Sequence, residues 1–287
     1  MKQLAVISGK GGTGKTTVTS SFAALANNAV MADCDVDAAN MHLLLNPQIL
    51  TKHDFYGLPV ASINNQLCTE CGLCKDNCRF DAISDNFTII PFQCEGCGVC
   101  KYICPSDAIS MKTNKAGEAY ESDTRLGLLA HAKLGIGEEA SGKLVTVVRE
   151  LAIHMAEENQ ADLILIDGPP GTGCSVIATL TGVDLALIVT EPSISGIHDL
   201  ERALEVAGHF NVPALVCINK CDINEEKAEE IEAMSNSHNA KIVGKLPFDK
   251  TPTEAMINGK TVVEYASNAF STNIEEMWNK VKKVLEL

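Results

Sequence analysis

Lys2-Gln-Leu4-Ala-Val-Ile7-Ser-Gly9-Lys10-Gly11-Gly12-Thr13-Gly14-Lys15-Thr16-Thr17 stands near the start of the sequence and decides its fold. The apolar run Leu4-Ala-Val-Ile7 reads as a buried strand. It leads into Gly9-Lys-Gly-Gly-Thr-Gly-Lys-Thr16, which satisfies G-x-x-x-x-G-K-[ST] ahead of a helix predicted over Lys15 to Asn27. Glycines there let successive backbone N–H groups converge on phosphate oxygens, and the positive end of the helix adds to the attraction. Gly11, Gly12, Thr13, Gly14, Lys15, Thr16 and Thr17 are therefore expected to cradle a nucleoside triphosphate. Lys15 should reach the outer phosphates, and the Thr16 hydroxyl should ligate Mg²⁺.

Four more apolar runs end in polar residues. Ala29 to Ala32 leads into Asp33, Leu163 to Ile166 into Asp167, Leu185 to Val189 into Thr190 and Glu191, and Ala214 to Ile218 into Asn219. Near-continuous apolar strands are what a parallel sheet covered on both faces requires. Helices are predicted between and after them, over Lys143 to Glu158, Gly196 to Phe210, Glu225 to Met234 and Asn273 to Glu286. Thr272 and Glu275 are spaced as a capping box for the last. The alternation predicts an α/β fold, a doubly wound, mostly parallel sheet, with ligands at the carboxyl ends of its strands. Asp167, ending a buried strand, suits a carboxylate that coordinates Mg²⁺ or water. Asp37 reads as a solvated loop carboxylate.

Residues 61–112 break this rhythm. They hold eight of the 12 cysteines and an internal repeat: Cys68 to Ser84 recurs as Cys94 to Ser110, with ten of 17 positions matching. Each copy carries C-x2-C-x2-C-x3-C. This is the spacing of two-cluster ferredoxins, in which the fourth cysteine of each run ligates the other cluster. It assigns one [4Fe-4S] cluster to Cys68, Cys71, Cys74 and Cys104, and a second to Cys78, Cys94, Cys97 and Cys100. Each run alone could instead make a four-cysteine zinc site; the duplication and the Cys104-Pro105 pair favour iron–sulfur. Arg79 stands where the first run might carry proline. The chain thus reads as a P-loop domain formed by 1–60 and 113–287, with a small α+β ferredoxin-like domain inserted at 61–112. Little can be assigned in the Gly- and Glu-rich connection 113–142.

The lysine directly after the first glycine, in Lys10-Gly-Gly-Thr-Gly-Lys15-Thr-Thr17, resembles the deviant Walker A of the MinD/ParA/Mrp and nitrogenase iron protein superfamily. Asp33-Cys-Asp35 followed by Asn40 resembles its first switch, and Asp167-Gly-Pro-Pro-Gly-Thr-Gly173 its second. Asn219-Lys220 and Leu246-Pro-Phe-Asp249 resemble its adenine-contacting segments. The resemblance implies that ATP is the nucleotide and that Lys10 crosses a nucleotide-sandwiched dimer to the partner's phosphates. It also implies that Asp35 orients the attacking water, that Asp33 helps Thr16 and Asp167 hold Mg²⁺, and that Asn219 reads adenine. The whole combination is similar to MinD-like ATPases that carry an inserted ferredoxin domain.

Lys and Arg number 23 against 37 Asp and Glu, a formal net charge of −14. Such a surface repels phosphate backbones, so no nucleic-acid partner is expected. No apolar run spans a bilayer, no signal peptide is read, and a reducing, cytoplasmic setting is expected for so many cysteines. Cys34, Cys174, Cys217 and Cys221 lie outside the repeats. Cys34 and Cys217 read as structural. Cys174 lies seven residues after Asp167, where the nitrogenase iron protein places a cysteine of its intersubunit cluster, but no companion cysteine stands in 113–142. His198 is expected at the surface. The last helix gathers Ile274, Met277, Trp278, Val281 and Leu285 on one face and is expected to pack on the sheet, not on lipid.

The leading expectation is an ATP-binding and ATP-hydrolysing dimer, with itself or a similar protein, that couples nucleotide state to electron transfer or to contact with a redox protein. The alternatives are a MinD-like positioning ATPase with clusters as structural staples, and an Mrp-like iron–sulfur carrier.

Overall fold

The computed structural model describes residues 1–135 and 142–287. Contacts divide the chain into two compact units. The larger is built on Met1–Lys52, Ala119–Lys133 and the carboxy-terminal part, and the smaller on His53–Glu118.

In chain order the larger unit begins with β1 (Lys2–Ser8), α1 (Lys15–Leu25), β2 (Ala29–Asp33) and α2 (Met41–Leu45), and the chain leaves it along β3 (Gln48–Tyr56). The smaller unit holds β4 (Val60–Ile63), α3 (Leu73–Asp76), a 3₁₀ turn at Pro91–Gln93, α4 (Val99–Tyr102) and β5 (Ile109–Lys112). The chain returns along β6 (Lys115–Thr124) into β7 (Gly127–Leu134). Then follow α5 (Gly142–Glu158), β8 (Leu163–Pro170), α6 (Cys174–Leu180), β9 (Leu185–Thr190), α7 (Ile194–His209), β10 (Ala214–Asn219), α8 (Glu225–Ser237), β11 (Lys241–Leu246), α9 (Thr251–Ile257), α10 (Val262–Tyr265) and α11 (Ala269–Leu285).

The large sheet runs β11-β10-β9-β1-β8-β2-β7-β6-β3. Its central strands are parallel, with β1 between β8 and β9. Leu4, Ala5, Val6 and Ile7 have no exposed surface, as expected of a strand covered on both faces. This order decides where the site lies. The chain leaves β1 toward β2 on one side, while β9, β10 and β11 extend the sheet on the other, so a crevice opens at the carboxyl end of β1. Strand ends carrying Asn219, Glu191, the glycine loop, Asp167 and Asp33 stand in that spatial order. β2 and β8 pair with Asp33 opposite Asp167.

The doubly wound, mostly parallel α/β fold is the one the sequence predicts. One unassigned stretch gains strands, and one local expectation needs correction. The 113–142 connection contains the paired strands β6 and β7, joined by the two residues Arg125 and Leu126; residues 136–141 of it lie outside the described residues. The capping box of the last helix is Asn268 with Ser271, not Thr272 with Glu275. Asn268 Oδ1 accepts from Ser271 N at 3.0 Å, and Thr272 already lies inside the helix, its hydroxyl donating back to the Asn268 carbonyl at 3.0 Å. The helix therefore starts a turn earlier than the Thr272 and Glu275 spacing suggests. Its apolar face is fully used: Ile274, Met277, Trp278, Val281 and Leu285 are all buried, and Trp278 packs on Phe22 of α1 with ring centroids 4.8 Å apart. Among the described residues, no helix is long and apolar enough to cross a membrane.

Candidate functional site

The glycine loop turns through two left-handed residues, Gly12 (φ 78°) and Gly14 (φ 97°). At Gly14 a Cβ would also lie 2.6 Å from Asn219 Nδ2, so the position demands glycine twice over. No side chain caps the start of α1. Its first N–H groups are left to a ligand, which is the arrangement that binds anions. The Thr13 hydroxyl is buried without a partner.

Two strand ends converge beside this loop. Lys15 Nζ lies 3.1 Å from Asp35 Oδ2, both nearly buried. Thr16 Oγ1 donates to Asp167 Oδ2 at 2.6 Å, and Thr19 Oγ1 reaches Asp167 Oδ1 at 3.0 Å. Thr19 had no role in the sequence reading. It sits one turn after Thr16, so it faces the same carboxylate, and that spacing could have identified it. Asp33 accepts Met41 N on Oδ2 at 3.1 Å, while its Oδ1 is buried and unpartnered. Burial, then the charge of Asp167, pushes the Asp33 carboxyl well above its ordinary value. Burial also raises Asp167, against the opposing pull of Lys15 and the two threonines. Two fully buried carboxylates in adjacent strands, one with a free oxygen, are a poor arrangement without a cation. Together with the Thr16 hydroxyl they fit Mg²⁺ chemically.

Lys15, Thr16 and Asp35 edge a cleft of about 780 Å³, within the range of small-molecule sites. Its walls include Gly11, Gly12, Gly14, Lys15, Thr16, Thr17 and Asp35, then Pro169, Pro170 and Gly173 from the segment after Asp167. Leu43, Leu44, Met256 and Val262 add an apolar side. Asp37 also lines it and is exposed. Five expected residues, Lys10, Thr13, Asp33, Asp167 and Asn219, are not on these walls. Lys10 pairs with Glu191 at 2.6 Å. Asn219 braces the loop from the side, Nδ2 donating to the Thr13 carbonyl at 2.8 Å. Cys34 is fully buried, and burial, then Asp33, drives its thiol far above its ordinary value. Burial pushes Cys217 up to about 12. Both are inert packing residues. Cys174 and His198 are exposed.

The smaller unit carries the cysteine repeats, and its backbone repeats with them. Glu70 and Gly96, Gly72 and Gly98, and Asp81 and Asp107 are each 26 residues apart, and all six are left-handed. Gly72 and Gly98 start the matching four-residue helices α3 and α4. β4 and β5 pair antiparallel, bringing Ile63 opposite Ile109. Ala61, Cys74, Ile83 and Ile109 form a small core.

Two cavities flank that core. One is lined by Cys68, Cys71, Cys74 and Cys104. The other is lined by Cys78, Cys94, Cys97 and Cys100. Each draws three cysteines from one repeat and the fourth from the other. Among the described residues, no three His, Cys, Asp or Glu side chains converge tightly enough to hold a single metal ion. Four cysteines line each cavity, a donor set that fits a multi-iron cluster. N–H groups already point at sulfur: Ala61 N reaches Cys94 Sγ at 3.5 Å and Ala108 N reaches Cys104 Sγ at 3.3 Å. The Ser106 hydroxyl holds the Cys104 thiol below its ordinary value, whereas burial raises Cys74 and Cys100.

Comparison with known proteins follows the same lines. Residues 4–262 match the CobQ/CobB/MinD/ParA nucleotide binding domain. An uncharacterized protein of Methanocaldococcus jannaschii is 37% identical over 99% of this chain and 97% of its own length. An iron-sulfur cluster carrier protein of Pyrococcus horikoshii is 28% identical over 50% of this chain and 54% of its own. The solved structure of the septum site-determining protein MinD from Pyrococcus horikoshii, complexed with Mg-ADP, superposes with a TM-score of 0.61 at 18% identity, covering 99% of this chain and 96% of that one.

Proposed function

This chain belongs to the CobQ/CobB/MinD/ParA nucleotide-binding family, and we propose that it is an ATP-hydrolysing dimeric switch that carries two [4Fe-4S] clusters and couples nucleotide state to their redox state. One observation carries the second half of this reading. In a chain with a complete phosphate loop, two separate cavities are lined by the two crossed four-cysteine sets of a two-cluster ferredoxin.

In this reading the glycine loop and α1 hold the phosphates, and Lys15 neutralises their charge. Thr16, Asp33 and Asp167 would hold Mg²⁺, which supplies further charge neutralisation at the phosphates when bound. Lys15 and Asp35 now hold one another. Turning Lys15 to phosphate releases the Asp35 carboxylate to accept a hydrogen bond from the attacking water. Lys10, supplied across the dimer by a second copy, completes the cation set. Asn219, already against the loop, would contact adenine. Each cluster, when bound, supplies one-electron transfer, and the eight cysteines hold and insulate it. The occupied dimer would then present the smaller units to a redox protein.

The carrier reading draws on relatives that match half of the chain. Four thiolates per cavity favour retention over release. The positioning reading would use a terminal amphipathic helix on lipid, but the apolar face of α11 is packed inside. ATP turnover by the iron-loaded chain tests the leading proposal. Turnover is expected to change several-fold between oxidised and dithionite-reduced protein, and to be indifferent to dithionite in cluster-free protein. Equal rates in both redox states would remove the coupling.

A further inference from the structure

Lys10 and Lys220 share one carboxylate. Glu191, directly after β9, has Oε1 2.6 Å from Lys10 Nζ and Oε2 2.9 Å from Lys220 Nζ. Lys10 Nζ also donates to Ser195 Oγ at 3.1 Å and to Ser193 Oγ at 3.3 Å, the latter the N-cap of α7. Three acceptors of its own chain therefore hold the lysine. The ion pairs are sheltered, with side-chain exposures of 31% for Lys10, 20% for Glu191 and 29% for Lys220. Burial pushes the Glu191 carboxyl up, but the bonds from the two lysines outweigh it and keep the group below its ordinary range. Lys220 is itself left-handed (φ 55°), and its N–H donates to Asn219 Oδ1 while Asn219 Nδ2 holds the Thr13 carbonyl. One carboxylate thus ties the glycine loop to the end of β10.

We infer that Glu191 is a positioning residue that latches Lys10 in cis, so that the nucleotide-bound dimer forms only as Lys10 leaves Glu191 for the phosphates of a second copy. This rests on the dimer reading above. Breaking the latch is part of the cost of dimerisation, and each dimer breaks two. Lys220 draws on the same carboxylate and so weakens its hold on Lys10. The two substitutions must therefore act in opposite directions, which a general loss of stability would not do.

The test uses the full iron-loaded chain with a non-hydrolysable ATP analogue and sedimentation analysis. In Glu191→Gln the dimer dissociation constant should fall about ten-fold, from about three-fold at each of two latches. In Lys220→Met it should rise about two-fold, with analogue affinity measured separately on dilute monomer. Without nucleotide, acetylation of Lys10 by an amine-reactive ester, followed by mass spectrometry, should run faster in Glu191→Gln than in the parent. A parent that dimerises, beside a Glu191→Gln variant with the same dissociation constant and the same Lys10 acetylation rate, overturns the latch. A parent that stays monomeric with the analogue sinks the dimer reading instead. Acetylation then decides the cis contact alone: faster in the variant supports it, and an unchanged rate rejects it.

Discussion

Replacing Lys15 with alanine should abolish measurable ATP binding while leaving the iron content of the chain unchanged. Lys15 Nζ is nearly buried and held by Asp35 at 3.1 Å. It is a cation on the cleft wall, beside the glycine loop and Asp35. Charge-assisted bonds to phosphate contribute roughly 1.5 to 3 kcal/mol each, so loss of two lowers affinity at least about a hundred-fold. The variant also leaves Asp35 buried without its ion pair, so the larger unit should melt earlier. Binding is therefore measured by calorimetry well below that transition. On the proposed reading the smaller unit holds the iron, which should stay at the parent value. Iron that falls with ATP binding would mean that the two units do not hold their ligands independently.

The second large effect concerns which cysteines act together. Crossed sets place Cys71 and Cys104 at one cavity and Cys97 at the other. The double variant Cys71→Ala with Cys104→Ala removes two of four thiolates from one cavity and none from the other. It should keep one intact [4Fe-4S] cluster and about half of the iron. The double variant Cys97→Ala with Cys104→Ala removes one thiolate from each cavity and should keep no intact cluster. Sequential sets, one per run, predict the reverse. Electron paramagnetic resonance of the reduced proteins, with iron analysis, distinguishes the two patterns. A Cys97/Cys104 variant with one unperturbed cluster would contradict the crossed assignment.

The sequence displayed the parts of this molecule whose physics is local. Five strands of the large sheet were readable because both faces are covered, which forces unbroken apolar runs such as Leu185 to Val189. The cysteine cavities were readable because the duplicated spacing carries its own pairing rule. What stayed hidden was non-local or weakly patterned. Strand β3, Gln48–Tyr56, is largely exposed, and β6, Lys115–Thr124, is broken by charge, so neither shows an apolar run. Asn268 was overlooked as a cap because Thr272 and Glu275 offered the same spacing a turn later. Glu191 was visible as a strand end. Its grip on Lys10, 181 residues away, follows only from β1 and β9 being neighbours.

One measurement reaches the centre of this account: iron, acid-labile sulfide, zinc and bound ATP per chain, determined together on protein prepared without oxygen. Two four-iron clusters and one nucleotide in one polypeptide predict about eight irons, about eight sulfides and about one ATP, with zinc near zero. Two zinc ions per chain in place of iron, or a fully iron-loaded chain that retains no ATP, would contradict it.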